Sequence, residues 1–354
     1  MSKFHELQVK TIDRETPQAV SVGFEIPSKL KDEFRFVAGQ YLTLEKEIAG
    51  RKFRRSYSIC TSPKKETLKV TVKEVEGGLF SVWVNKKLKV GDSLNVFLPE
   101  GRFTFEPARR NGHPKSYAAF AAGSGITPVM SILQNVLETE PHSRFVLVYG
   151  NKTPDQTIFY KDLLELQKQF PDRLFIEFVY SKSKEEKSFF GRIERSTVNY
   201  VVKNKFKHHD FEGFYLCGPE PMIDMVSGVL QENGVDKTKI HQELFVADNQ
   251  EKEIDKAAQV SGKTKVTVML DGEETTFEMD RSQRVLDAIM DEGLDPPYSC
   301  QGGICSSCMA QLSEGKVEMV NNQILTDEEV EEGSVLTCQS HPTTPTLYVD
   351  YDDI

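Results

Sequence analysis

The densest chemistry in the chain lies in four cysteines. Three stand in the run Cys300-Gln-Gly-Gly-Ile-Cys305-Ser-Ser-Cys308, and Cys338 follows after 29 intervening residues. The spacing C-x4-C-x2-C…C suits a [2Fe–2S] centre, in which four thiolates surround two irons. One tight loop supplies three of them and a distant stretch supplies the fourth. Gly302 and Gly303 allow the loop backbone to approach the inorganic sulfurs and aim N–H groups at them, which stabilises a negative cluster. Zinc is the rival ligand because it also takes four cysteines, yet structural zinc sites ordinarily use two short C-x2–4-C knuckles, and Cys338 has no such partner. Inert buried thiols are the third reading.

Three further stretches carry chemical residue types with weaker spacing. Arg54-Arg55-Ser56-Tyr57-Ser58 sits in a strand-like run, where a tyrosine ordinarily packs and an arginine ordinarily solvates an edge. Ala122-Gly123-Ser124-Gly125-Ile126-Thr127-Pro128 joins an apolar strand to a helix. It departs from G-x-G-x-x-G in having Pro128 at the third glycine position. Gly123 and Gly125 permit close approach of a phosphate, Thr127 is the expected N-cap and Pro128 the expected first helical residue; a well-capped structural turn accounts for the same pattern. Cys217-Gly218-Pro219-Glu220-Pro221-Met222 closes another apolar strand, at the kind of strand end where ligands of open parallel sheets collect. An ordinary buried cysteine would suit that strand too. Cys60 reads as core packing.

The elements that must position these residues fall into three segments. Through about residue 106 the runs LQVKTIDRE, AVSVGFEI, QYLTLEKE, SYSICTS and LKVTVKEV are rich in β-branched and aromatic residues, with glycine and proline between them. They predict a small antiparallel barrel without a helix of normal length. Over 107–247 strands alternate with helical patterns: SYAAFAAG, PVMSILQNVLE, RFVLVYG, FYKDLLELQKQF, RLFIEFVYS, GFYLCG and PMIDMVSGVLQENG. That alternation predicts a parallel sheet covered on both faces. Residues 248–262 lack an apolar face and read as a linker. Within 263–354, KVTVML and TTFEM flank Asp271-Gly272 as a hairpin, and RVLDAIMDEG reads as a helix ending at Gly293.

The chain has 354 residues with a formal charge of -10, a poor match to nucleic-acid binding. The charge is uneven: residues 263–354 hold 5 Lys or Arg and 19 Asp or Glu, against 39 and 35 in the rest. Such a break marks a separate acidic module. No run reaches the ~18 apolar residues of a membrane span, and MSKFHELQVK lacks the apolar core of a signal peptide, so a cytoplasmic location is expected.

Residues 263–354 resemble the plant-type ferredoxin domain throughout, with PPYSCQGGICSSCMAQLSEGKVEM, LTCQS and LYVDYDD on its pattern. That resemblance implies Cys300, Cys305, Cys308 and Cys338 as iron ligands. The N-terminal segment resembles the FAD-binding barrel of ferredoxin–NADP reductases, whose R-x-Y-S/T and G-x-x-S/T stand here as Arg55-Ser-Tyr57-Ser58 and Gly78-Leu-Phe-Ser81. It implies Arg55 against the flavin pyrophosphate through its guanidinium fork, Tyr57 against the isoalloxazine ring, and Ser58 near the flavin N5, where hydride arrives. Gly78 and Ser81 would hold phosphate at the start of a short helix. FMN is the alternative, since some proteins with this domain order use it. The middle segment is similar to the family's G-x-G-x-x-P and C-G-P/S-x-x-M stretches. This implies Gly123, Gly125, Thr127 and Pro128 at the dinucleotide, Cys217 near the nicotinamide carbon that gives up hydride, and Gly218 and Pro219 shaping the loop. His241-Gln-Glu243-Leu-Phe245 matches the H-x-E-x-F stretch found where such reductases continue into a ferredoxin domain. It implies Phe245 near the flavin ring, moving aside for the nicotinamide; a hydrophobic anchor is the plainer reading.

The resemblance covers the whole chain in the order 1–106 flavin, 107–247 nicotinamide and 263–354 iron–sulfur, the order of reductase components of bacterial oxygenase systems. It implies an enzyme that converts hydride to single electrons using FAD and a 2Fe-2S cluster, with Tyr57, Ser58 and Cys217 at the reacting centre. The implied partner is an oxygenase or other electron-accepting metalloprotein, and the oligomeric state is left open. A desaturase or dehydrogenase acceptor is the alternative, and an iron–sulfur redox sensor is the alternative of a different class. NADPH is expected over NADH: Ser181 and Lys182 follow the third strand of the middle segment where a carboxylate would favour NADH, with Arg192 a further phosphate ligand. Glu185 and Glu186 in the same loop keep NADH open, and a solvated charged loop explains the run without any ligand.

Overall fold

The structure, a computed structural model, describes residues 4–65, 67–107, 114–245 and 262–353. Apart from Gly262, the expected linker lies outside the described residues. Two compact units make up the chain, one of Phe4–Phe53 with Tyr57–Phe245, the other holding the C-terminal residues together with Arg54–Ser56.

The larger unit opens with strands β1 (Phe4–Thr16), β2 (Ala19–Glu25), β3 (Tyr41–Ile48), β4 (Arg51–Ser58) and β5 (Leu68–Lys73), then helix α1 (Leu79–Lys86) and β6 (Ser93–Phe97). They form an antiparallel sheet in the order β4-β3-β6-β1-β2-β5. An isolated bridge from Ile59, just past β4, to Val70 of β5 brings the two edges together, which removes the exposed sheet edges. Alternate residues such as Leu7, Val9, Val20, Val22, Val70 and Val72 fill the interior, as the period of two requires. The helix α1 is the short helix that the resemblance implies after Gly78. Its Phe80 and Val84 plug the same core, so tertiary burial makes a helix of a segment too short to show a periodic face.

The unit continues as β7 (Ser116–Ala122), α2 (Ile126–Thr139), β8 (Arg144–Asn151), α3 (Tyr160–Gln169), β9 (Leu174–Tyr180), β10 (Phe189–Phe190), α4 (Arg195–Asn199), β11 (Phe211–Gly218), α5 (Glu220–Glu232) and β12 (Ile240–Leu244). The sheet order is β10-β9-β8-β7-β11-β12, with every pair parallel. The chain therefore reverses direction of travel between β7 and β11, the switch point at which such sheets open a crevice. Helix α2 is buried almost from end to end, polar residues included. One side packs on the sheet, and the other meets the barrel loop after β4. Ser131 donates to the Thr61 carbonyl at 2.7 Å, Lys65 donates to Gln134 at 2.6 Å, and Ser62 donates to Glu138.

The smaller unit holds β13 (Lys263–Leu270), β14 (Glu273–Asp280), α6 (Val285–Asp291), β15 (Met309–Glu314), β16 (Val317–Met319), α7 (Asp327–Glu331), β17 (Ser334–Leu336), β18 (Ser340–Pro342) and β19 (Thr346–Asp350). Five strands form the sheet β14-β13-β19-β15-β17, against which Val285, Ala288 and Ile289 of α6 pack. Asp271 and Gly272 both have positive φ (54° and 78°), the signature of the two-residue hairpin turn expected from the Asp-Gly pair.

Candidate functional site

In the smaller unit the cysteine loop brings its sulfurs together. Cys300 and Cys305 Sγ lie 3.0 Å apart, and the Gly302 N–H donates to Cys300 Sγ at 3.3 Å. Cys305, Cys308 and Cys338 are buried, while Cys300 is partly exposed. Hydrogen bonds from the Cys305 and Cys338 thiols, then from the Gly302 and Ile304 N–H groups, hold the Cys300 thiol well below its ordinary range. Cys305 and Cys338 are correspondingly pushed up. Four converging sulfurs, with backbone N–H groups turned on one of them, fit a thiolate-ligated cluster. Gly303 has a use the spacing did not reveal. Its φ is +75°, and a Cβ there would land on the Asn321 carbonyl, while Asn321 Nδ2 donates to the Gly302 carbonyl at 2.7 Å. The glycine lets a neighbouring segment buttress the loop.

On β4, Arg55 Nη1 donates to the Arg54 carbonyl at 2.8 Å, and the Tyr57 ring stacks on Phe80 at 6.0 Å. The backbone alternation that places Arg55 and Tyr57 on one side of the strand places Ser58 on the other, where it is buried. Gly78 is the N-cap of α1, and no side chain caps that helix. Its first N–H groups are therefore left for an anion, which fits the pyrophosphate of a dinucleotide flavin. Ser81 Oγ lies beside Gly78 and accepts a hydrogen bond from the Val75 N–H at 3.1 Å. It holds the turn before α1.

The glycine turn after β7 differs from its expected form. A single 3-10 turn spans Gly123–Gly125, Gly125 is the N-cap, and α2 starts at Ile126. Thr127 is thus not the N-cap and Pro128 is not the first helical residue. Thr127 Oγ1 donates back to the Ser124 carbonyl at 3.0 Å, and both Thr127 and Pro128 are buried. Having no Cβ, Gly125 lets this turn rest against the end of β11, where a Cβ would land on the Cys217 carbonyl. Gly123 has φ +57°, and the nearest atom to a Cβ there would be Lys73 Nζ at 3.5 Å. Pro219 is the N-cap of α5, directly after Gly218.

The parallel register pairs Cys217 of β11 with Glu243 of β12. Ser58 Oγ donates to Glu243 Oε2 at 3.2 Å. Barrel and α/β sheet thus meet in a serine, a carboxyl and a thiol. Glu243 is partly exposed as a residue, but its carboxyl is enclosed, and burial pushes it up to about 8 against the lowering effect of Ser58. Burial and the Glu243 charge together push the Cys217 thiol well above its ordinary range, so Cys217 is not a thiolate nucleophile. Phe245 lies two residues beyond Glu243 and is 38% exposed. Ser181 and Lys182 follow β9, with their N–H groups on the Asn151 and Lys152 carbonyls at 3.0 and 2.9 Å. Arg192 lies exposed beyond β10. Sequence reading gave no role to Glu243 or Lys73. For Glu243 the signal was an acid inside a strand that also carries Leu244 and is followed by Phe245, and for Lys73 a lysine at the end of the largely buried strand β5.

Comparison with known proteins places these sites in a family. The oxidoreductase FAD-binding domain matches residues 6–105, the oxidoreductase NAD-binding domain 120–228, and the 2Fe-2S iron-sulfur cluster binding domain 268–343. The chain belongs to the family of NAD(P)H-dependent reductase components that join FAD, NAD(P)H and 2Fe-2S domains in one polypeptide. It is 35% identical to one of the subunits of 1,2-phenylacetyl-CoA epoxidase from Escherichia coli (strain K12), covering 99% of each protein. It is 34% identical to the ferredoxin reductase component of 3-ketosteroid-9-alpha-monooxygenase from Rhodococcus rhodochrous, covering 98% of this chain and 96% of that one. The structure of phthalate dioxygenase reductase shares the fold, with a TM-score of 0.63 at 24% identity and 98% coverage of both chains. No helix among the described residues is long and apolar enough to cross a membrane.

Proposed function

We propose that the chain is the cytoplasmic, NADPH-oxidising reductase of an oxygenase of the phenylacetyl-CoA epoxidase type. The observation that carries this reading is the meeting of Ser58, Cys217 and Glu243, contributed by two different domains of a chain that also holds a four-cysteine cluster loop. The domain limits that go with it are 1–106, 107–247 and 263–354, with 248–262 between.

Bound FAD supplies a two-electron acceptor that can release electrons one at a time to the 2Fe-2S cluster. The chain's residues provide position and charge. Arg55 and the uncapped start of α1 beside Gly78 hold the flavin pyrophosphate. Tyr57, braced by Phe80, packs along the flavin ring. Ser58, fixed by Glu243, presents its hydroxyl at N5. Gly123, Gly125, Thr127 and Pro128 form the dinucleotide turn, Gly218 and Pro219 shape the opposite lip, and Cys217 backs the nicotinamide carbon. Phe245, exposed after β12, would lie against the flavin ring and would give way to the nicotinamide. Ser181, Lys182 and Arg192 receive the 2′-phosphate. Burial raises the Glu243 carboxyl to about 8, which disfavours a fixed negative charge beside the hydride path. Cys300, Cys305, Cys308 and Cys338 ligate the cluster.

The test uses purified chain with candidate oxygenases and their substrates. Coupled, NADPH-dependent product formation with phenylacetyl-CoA epoxidase components is expected. Coupling to a ketosteroid oxygenase instead would move the acceptor and keep the reductase. An absence of NAD(P)H-driven flavin bleaching would overturn the whole reading.

A further inference from the structure

Tyr149 of β8 is a fully buried phenol that the hydride chemistry leaves unused. Its ring belongs to the core that α2 shares with the sheet. The parallel register sets it beside Ala121 of β7, and so small a neighbour leaves the phenol room to reach past the end of that strand. There its hydroxyl donates to the Gly123 carbonyl at 2.9 Å. The Ile158 carbonyl lies 3.4 Å from the same oxygen. A phenol has one proton to give, and the shorter contact takes it. Phe159, directly after Ile158, holds φ at 60°, a left-handed conformation that is costly for an aromatic residue and persists only where its surroundings fix it. Burial above all pushes the Tyr149 hydroxyl up, so it keeps its proton and stays a donor.

The Gly123–Ser124 peptide is trans, and in a trans peptide the carbonyl and the following N–H point in opposite directions. A Gly123 carbonyl held inward by Tyr149 therefore turns the Ser124 N–H outward, to the strand-end crevice where ligands of such sheets collect. Lys73 Nζ stands beside the same turn, 3.5 Å from where a Gly123 Cβ would be, and adds a positive charge. Gly123 alone does not decide the direction. It has φ +57° and no side chain, and glycine tolerates the rotation of the following peptide plane that exchanges the two groups. The rotated peptide would set a carbonyl oxygen, not a donor, against an anion. Resting on the dinucleotide reading above, we infer that Tyr149 is a positioning residue: its hydroxyl fixes the Gly123–Ser124 peptide with the Ser124 N–H toward the diphosphate of the bound dinucleotide. The diphosphate is common to NADPH and NADH, so Tyr149 serves both alike.

Tyr149→Phe removes the hydroxyl and keeps the ring, so the core stays filled. Calorimetric titration of the full-length flavoprotein with ADP and with adenosine isolates the diphosphate from hydride transfer. The variant should bind ADP about tenfold more weakly than the parent, the scale of one hydrogen bond to a charged group. Adenosine binding should change less than about twofold. In stopped-flow flavin reduction the half-saturating concentrations of NADPH and NADH should both rise about tenfold, while the limiting rate stays within about threefold. A general loosening of the core does not produce that split. Flavin absorbance matching the parent, with every titration made well below the Tm of both proteins, separates the hydroxyl from stability. Unchanged ADP affinity, equal weakening of ADP and adenosine, or a loss confined to the limiting rate each overturns the assignment. A parent whose flavin is bleached by neither dinucleotide removes the reductase reading, yet the ADP and adenosine titrations still decide the role of Tyr149.

Discussion

At the scale of single residues the cluster and the hydride site behave differently under substitution. Cys338→Ser removes one of four thiolates and should abolish the visible spectrum of the cluster, two irons and two sulfides per chain in the parent, while flavin content stays. NADPH-driven reduction of a dye at the flavin should survive and cytochrome c reduction should fall at least tenfold; zinc without sulfide in the parent would refute the assignment. Arg55→Ala should lower flavin retention more than Ser58→Ala, and release with identification by mass separates FAD from FMN. Glu243 has a pH signature. Burial raises its carboxyl from 4.5 to about 8, so the folded protein holds a proton that the unfolded chain has released across that interval. The cost to stability therefore grows as pH rises from about 4.5 to about 8 and is constant above. Glu243→Gln keeps an acceptor for Ser58 and removes the cost. It should melt at a higher temperature than the parent at pH 8.5, by up to a few kcal/mol of stability, and converge with it toward pH 5. A difference that does not change with pH would refute an enclosed carboxyl.

Elements place these residues through close approach. Gly125 has an ordinary helical φ of -61°, so its need for glycine is spatial: the turn before α2 rests on the Cys217–Gly218 backbone. Gly125→Ala must push that turn off β11, at a cost of about 1–3 kcal/mol by analogy with overpacked cores. Its Tm should fall and NADPH-driven flavin reduction should slow at least severalfold, measured by stopped flow, while flavin content is kept. Gly123→Ala has room and meets only the flexible end of Lys73; its cost is the left-handed φ, about 1 kcal/mol. Equal melting temperatures for Gly125→Ala and the parent would show that the turn is not seated on β11.

Across the molecule, charge and composition divide the labour. Residues 263–354 carry 19 acids against 5 bases, and such a surface draws a basic acceptor by long-range attraction that salt screens over about 10 Å at 0.1 M. Second-order reduction of cytochrome c, a basic acceptor, should fall severalfold between about 10 mM and about 300 mM salt, with ferricyanide, an anion, responding in the opposite sense. A salt-independent cytochrome c rate would assign the acids to solubility alone.

Cofactor identity was legible in the sequence because spacing within one loop is local. Cys300, Cys305 and Cys308 cannot help being neighbours, and alternation of strand and helix patterns reveals a parallel sheet without coordinates. The Asp271-Gly272 hairpin was legible for the same reason, as two residues that tolerate positive φ. Helix α1 was legible only through the family resemblance, because eight residues show no usable period and burial of Phe80 and Val84 makes them helical. The expected cap at Thr127 failed because the start of α2 is set by contact with β11, some 90 residues on. Glu243 comes beside Cys217, and Lys73 beside the Gly123 turn, only when folding sets β12 beside β11 and β5 before that turn. A carboxyl or an ammonium acquires its chemistry from what removes its water and what charge stands across from it, and both are properties of residues far away in the chain.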